Sequence, residues 1–404
     1  MRIERKGQRS MQPTMSSTGR FYRPELDVIR FLAFLFVFLF HALPRYGDLS
    51  LYRLPTGFAS LYSAFVAACA FGLCLFFTLS AFLICELLLR EGEAIGTVNV
   101  KQFYIRRVLR IWPLYYLVLA IGVFVAFLSG NLHRSLEDFA WFAIFMSAWH
   151  CSLHGWIKSP VAALWSISVE EQFYLIVPWI VKFFNRMSLY GFCAAIFLAA
   201  NAELYYFGRV KVNGLRVWAD SLVLFECFAA GILLCLVLRS RVPRIAHWQR
   251  LVLIAFCGVS WTVASHGLHC GFTLASENPG SWALIGGYAL VSLGCVLLLL
   301  AFLGVQPRLL PRWTIYLGRI SFGLYVYHGL ALSFTHHLVI DRLNIVGIQI
   351  FSLKVFLAAG LSIGLPFGLT VLIATLSYRY FETPFLKMKK RHAVIESQPI
   401  VGAG

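Results

Sequence analysis

The chain has 404 residues, of which 59% are hydrophobic and 13% charged, with a mean hydropathy of +0.75. Soluble domains hold about 45–50% apolar and about 25% charged residues, so this balance excludes an ordinary water-soluble globule and makes lipid the solvent for most faces. The net charge of +17 would raise nucleic acid as a partner in a soluble chain. Here the basic residues gather in particular loops, the pattern that sets membrane topology, and no nucleic-acid partner is expected.

Residues 1–22 form a polar, basic tail without the apolar core of a cleavable signal peptide. The first span is therefore expected to serve as its own insertion signal. Ten spans follow, at about 27–43, 57–89, 109–129, 163–184, 188–207, 221–238, 251–266, 282–303, 313–337 and 347–378. The apolar segment 138–150 has only 13 residues. That cannot cross about 30 Å of hydrocarbon, and the segment reads as re-entrant or interfacial. Placing both termini in the cytoplasm puts 25 of the 35 Lys and Arg on the inner side and 8 in outer loops, with Arg30 and Lys354 inside spans. The expected fold is an all-α, polytopic bundle in the cell membrane: a transmembrane domain over 23–386 between basic tails at 1–22 and 387–404. The ten cysteines lie mostly in apolar runs, with no metal-ligand spacing. Cys151 and Cys270 fall in outer loops, where one disulfide could join them. No internal repeat marks a transporter built on inverted halves.

The first span opens the chemistry. Residues 23–43 read RPELDVIRFLAFLFVFLFHAL, with Pro24 suited to a first helical turn and Glu25 and Asp27 complementing the helix N-terminus. Arg30 and His41 are separated by ten apolar residues. Eleven steps of about 100° close three turns with about 20° to spare, so both side chains share one face, about 16 Å apart along the axis. Ionisable groups at membrane depth are costly and mark functional sites. Taken alone, the pair fits interfacial anchoring equally well.

Four further segments add polar groups. Residues 76–84 read FFTLSAFLI and bury Ser80 in a span. Residues 101–116 read KQFYIRRVLRIWPLYY and carry Arg106, Arg107 and Arg110, the last two one turn apart on one face. Arginine suits bidentate phosphate binding, so this cluster could hold a phosphorylated cofactor, while plain positive-inside anchoring explains the same charges. Residues 164–178 read LWSISVEEQFYLIVP, in which Glu170 and Glu171 cannot both face lipid unpartnered. Residues 317–329 read LGRISFGLYVYHG and place Ser321, Tyr325 and His328 in one span. Tyr380, Glu382 and Pro384 read as the stop of the last.

Together these segments resemble the membrane-bound acyltransferase family 3, whose members O-acylate cell-surface glycans, nodulation factors and some macrolide antibiotics. LDVIR, the ten-residue spacer and His41 keep the family's LDxxR…His spacing. FFTLSAFLI is similar to FFxxSGFLI with Ala81 for Gly, and FYIRRVLRIWPLYY to fyxRRxxRixPxYy. WSISVEEQFYLIVP is similar to WSLsvEeqFYlxxP, and LGRISFGLYVYH to lGxiSYgxYLxH with Phe322 for Tyr. The resemblance runs in family order from residue 22 to about 385.

The resemblance implies transfer of an acyl group, most often acetyl, from acyl-CoA to a hydroxyl of a carbohydrate or lipid-linked glycan, with no metal. It makes His41 the catalytic histidine, as general base or as acyl carrier, and Arg30 its partner. Arg107 and Arg110, with Arg106, are expected at the donor; Glu170 joins the catalytic set, and Asp27, Ser80, Tyr325 and His328 are further candidates. Ala81 leaves the backbone at Ser80 less free than Gly would. Some members add a soluble C-terminal SGNH-type domain, and this sequence ends shortly after its last span. The competing readings are a transporter with an Arg30–Glu170–Lys354 relay and a glycan-export partner without chemistry of its own.

Overall fold

The computed structural model describes residues 21–44, 56–157, 159–272, 279–336 and 353–395. The side chain of Lys354 and most of the expected loops 44–56 and 338–346 lie outside these residues. Among them every regular element is helical: α1 (Pro24–Ala42), α2 (Thr56–Cys69), α3 (Gly72–Ile95), α4 (Val100–Leu128), α5 (Leu132–Ala143), α6 (Ser147–His154), α7 (Trp165–Phe183), α8 (Arg186–Val210), α9 (Gly214–Ala219), α10 (Ser221–Leu238), α11 (His247–Thr262), α12 (Ser281–Phe302), α13 (Arg312–Arg319), α14 (Ser321–Thr335), α15 (Leu353–Ser377) and α16 (Thr383–Lys390). Local signals set the ends. Asn99, Asn185 and Asp220 cap α4, α8 and α10 by accepting backbone N–H bonds, and Gly96 closes α3 in the left-handed conformation.

Seven stretches among the described residues are long and apolar enough to cross a membrane: Gly57–Ile95, Val100–Leu128, Arg186–Val210, Ser221–Leu238, His247–Gly267, Ser281–Phe302 and Gly360–Lys390. The chain is a multi-pass membrane protein. Three expected spans are not among the seven, for physical reasons. α1 carries Glu25, Asp27 and Arg30 in its first two turns, and α7 carries Glu170, Glu171 and Lys182. The segment 313–337 is broken at Ile320 (φ −92°, ψ 9°), giving two shorter helices, α13 and α14. The segment 138–150 falls in α5 and α6, joined by a turn with Phe145 at φ 57°. At 12 and 8 residues neither can cross.

Burial separates core from rim. In the Gly57–Ile95 stretch 83% of the apolar window is buried, against 22% in Arg186–Val210, so α3 is central and α8 faces lipid. α1 is also central, with Ile29, Ala33, Phe34 and Phe38 fully buried. In lipid, helix association rests on close packing rather than on water exclusion, and small residues let backbones approach. Gly72 begins α3 against α1, where a Cβ would lie 2.6 Å from the Ala33 carbonyl oxygen. Gly318 presses α13 onto α1 so closely that any side chain would strike the Asp27 carbonyl. Ala81, by contrast, sits in regular α3 and is fully buried facing Gly231 of α10. No unusual backbone is required there, and the small partner has moved to the opposite helix.

The last span does not stop at Pro384. After α15 the chain makes a π turn, Tyr378–Glu382, and resumes as α16 with Pro384 in its first turn, where the missing N–H costs no bond. All ten cysteines, Cys151 and Cys270 included, are buried free thiols.

Candidate active site

Packing α13 on α1 builds a charge network at the N-terminal end of α1. The Asp27 carboxylate is fully buried and accepts from Arg30 Nη1 at 2.5 Å and from the Tyr22 hydroxyl at 3.0 Å. Arg319 Nε lies 3.7 Å from the same carboxylate, and its Nη2 donates to Tyr22 Oη at 2.8 Å. A buried carboxylate needs such partners, and this one fixes the direction of Arg30. Tyr22, before the helix, is pushed above the ordinary phenol value by burial first and by the neighbouring Asp27 charge second.

Arg30 enters a cavity of about 140 Å³ lined also by Arg107, Arg110, Lys389, Ser80, Glu170, Tyr174, Ser321 and Tyr325. α4 supplies Arg107 and Arg110 from one turn of one face. The Arg107 guanidinium stacks 5.4 Å from the rings of Phe103 and Tyr174. Next to Arg107, through Tyr174, Ser80 Oγ of α3 donates to Glu170 Oε1 at 2.6 Å and lies 2.8 Å from Tyr174 Oη, which also hydrogen-bonds Glu170. Ser166, Glu170 and Tyr174 recur every four residues along α7, so all three side chains meet the cavity.

A second pocket, of about 100 Å³, lies at the other end of α1. His41 lines it with Val37, Phe40, Trp156, Trp165, Trp218 and Phe272. The two cavities share two residues, Leu73 and Tyr325. Tyr325 is held by a 2.5 Å bond between its hydroxyl and Ser166 Oγ, and donates to the Ala163 carbonyl at 3.1 Å. His41 Nδ1 lies 2.8 Å from the Val37 carbonyl oxygen. That bond assigns the ring proton to Nδ1 and leaves Nε2 as the nitrogen with the lone pair. The His328 ring lies 5.1 Å from that of His41, its Nδ1 bonded to the Tyr325 carbonyl at 2.5 Å. The buried Nε2 of His328 has no hydrogen-bond partner among the described residues.

One expected residue stands elsewhere. Arg106 does not join Arg107 and Arg110 at the cavity. One residue of helix turns it by about 100°, and its guanidinium pairs with Glu91 at 2.7 Å and donates to the His392 carbonyl at 2.9 Å. Glu171 turns from Glu170 in the same way and accepts from Trp112 Nε1 at 3.2 Å. The structure brings Arg30, Arg107, Arg110, Ser80, Glu170, Ser321, Tyr325 and Asp27 to the first cavity and His41 to the second, with His328 packed against the His41 ring. Sequence reasoning passed over Ser166, Tyr174, Lys389, Arg319 and the aromatic wall. The four-residue spacing in α7 was the available signal for the first two. Among the described residues no group of three or more His, Cys, Asp or Glu is placed to hold a metal ion.

Known proteins similar to this chain are O-acetyltransferases by name. A Staphylococcus aureus (strain MSSA476) protein assigned as an O-acetyltransferase is 24% identical over 393 residues, covering 91% of this chain and 58% of that protein. The O-acetyltransferase of S. aureus strain NCTC 8325 is 21% identical over 389 residues, 91% of this chain and 57% of its own. The peptidoglycan O-acetyltransferase of Listeria monocytogenes serovar 1/2a is 29% identical over 170 residues, 40% of this chain and 24% of its own. The chain thus spans under two thirds of the length of these relatives. No solved structure matches. The family model described as an acyltransferase domain matches residues 23–374, nearly the whole helical bundle around both cavities, and the chain therefore belongs to the acyltransferase 3 family.

Proposed function

We propose that the protein is an O-acyltransferase that moves an acyl group, acetyl in the simplest case, from acyl-CoA to a hydroxyl of a carbohydrate or lipid-linked glycan. The observation that carries this reading is the pair of cavities at the two ends of α1: a cationic one with Arg30, Arg107 and Arg110, and an aromatic one with His41, meeting at Tyr325 and Leu73. In this reading the cationic cavity opens to the cytoplasm, the side favoured by the bias of Lys and Arg, and takes the phosphates of the donor. The acyl end reaches past Tyr325 to His41. Glu170, held by Ser80 and Tyr174, sets a carboxyl group in the cavity that the arginines line.

The chemistry centres on His41 Nε2. As a general base it takes the acceptor's hydroxyl proton while the oxygen attacks the thioester carbonyl. The C–S bond then breaks, and the CoA thiolate recovers the proton. As a nucleophile the same nitrogen first forms an acyl-imidazole with release of CoA, and the hydroxyl then takes the acyl group. Both routes need the ring proton fixed at Nδ1, where the Val37 carbonyl accepts it. The relay reading loses ground because Arg30 and Glu170 are engaged with Asp27, Ser80 and Tyr174 rather than with one another.

The test is acyl-CoA consumption by membranes containing the full chain, with and without acceptor glycan. Acceptor-dependent consumption is expected, and His41→Ala should abolish it at unchanged expression. Transfer persisting in His41→Ala would refute the assignment. Arg107→Ala with Arg110→Ala should raise the KM for acyl-CoA, and an unchanged KM would return those arginines to anchoring.

A further inference from the structure

Resting on the donor reading above, we propose that Lys389 of α16 is a further donor-binding residue, and that α16 is the wall that closes the cationic cavity on a ligand carrying several negative charges. Three lysines crowd the end of α16. Lys387 and Lys390 point to the exposed side, whereas Lys389 is partly buried and lines the cavity with Arg30, Arg107 and Arg110. Five cations, Arg23 with Arg30, Arg107, Arg110 and Lys389, line a cavity whose carboxylates are Asp27 and Glu170. Asp27 already accepts from Arg30 and Tyr22, and Glu170 from Ser80 and Tyr174. Arg107 Nε is buried with no hydrogen-bond partner among the described residues. Like charges gathered out of water repel one another. A multiply charged anion removes that repulsion and supplies the acceptor that Arg107 Nε lacks.

The seat of α16 is built rather than incidental. The π turn Tyr378–Glu382 re-aims the chain after α15. Beyond α16, the His392 carbonyl accepts from Arg106 at 2.9 Å, and His392 Nδ1 lies 2.6 Å from Gln102 Oε1. Arg106, itself paired with Glu91, therefore holds the wall in place, and α4 offers one arginine to the scaffold and the next to the cavity. The chemistry that fits is a polyphosphate-bearing thioester nucleotide, with Lys389 acting as a point charge on phosphate.

Binding of CoA itself to the purified full-length protein tests this. Lys389→Gln is expected to raise the Kd about tenfold, the scale of one lost charge-assisted hydrogen bond. Lys389→Arg should restore affinity to within about threefold, and Lys387→Gln on the exposed side should leave it unchanged. Unfolding temperatures matched to wild type exclude a folding defect. Wild-type affinity in Lys389→Gln overturns the proposal while the donor reading stands. A loss that Lys389→Arg does not restore marks a packing role for α16 and overturns it too. Absence of CoA binding by the wild type removes both.

Discussion

His41 sits in the last turn of α1, where its Nδ1 reaches the carbonyl of Val37 four residues back. A histidine held this way offers one defined nitrogen to a substrate. Removing it should cost the ~10²–10⁴-fold in kcat typical of a lost general base, read as acyl transfer at saturating donor with KM little changed. Asp27 is the corresponding anchor for Arg30. Asp27→Asn leaves Arg30 and Arg319 beside a neutral amide, and breaking a buried pair costs about 3–5 kcal/mol. We predict a clearly lowered unfolding temperature together with a raised donor KM; an unchanged pair of values would remove Asp27 from the site. Tyr325 closes the wall between the cavities, tied to Ser166 and Ala163. Tyr325→Ala should open it and let water reach the acyl group, seen as CoA release that no longer needs acceptor. Release still tied to acceptor would contradict that role.

Among the elements, α1 matters most because both cavities begin on it, and α3 and α13 hold its position through glycine contacts. Gly72→Val forces a side chain into the 2.6 Å gap at the Ala33 carbonyl. Overpacking of this kind costs about 1–3 kcal/mol, so a lowered unfolding temperature and reduced transfer should appear together; full activity would mean that α1 and α3 can part without disturbing the site. Much of α1 was legible in the sequence, since helical arithmetic alone puts Arg30 and His41 on one face three turns apart. The same arithmetic, applied to α7, contained Ser166 and Tyr174 beside Glu170. What it could not contain is contact between distant segments: His41 against His328, Arg319 on Asp27, and Lys389 in the cavity. Lys389 in particular lies in a run of basic residues that reads as a topology signal. The break at Ile320 was equally hidden, because apolar periodicity continues across it and the interruption comes from packing α13 onto α1.

At the scale of the molecule, α1, α3, α4, α7 and α14 carry the polar machinery, and rim helices such as α8 and α11 meet lipid. This explains how ionisable residues are tolerated at membrane depth: they face cavities and one another, not hydrocarbon. The ten cysteines are all buried, so single exposed cysteines can report topology with little background. Arg241→Cys and Ser129→Cys, at exposed ends of α10 and α4, should be labelled by impermeant thiol reagents from opposite sides of intact vesicles; labelling from one side would overturn the proposed orientation. The most direct test of the central claim, acyl transfer to a glycan through His41, is mass spectrometry of cell-surface glycans from cells lacking the chain. The account predicts that an acyl mass increment disappears, returns with the wild-type chain and does not return with His41→Ala. Glycans unchanged by the deletion, or restored by His41→Ala, would contradict it.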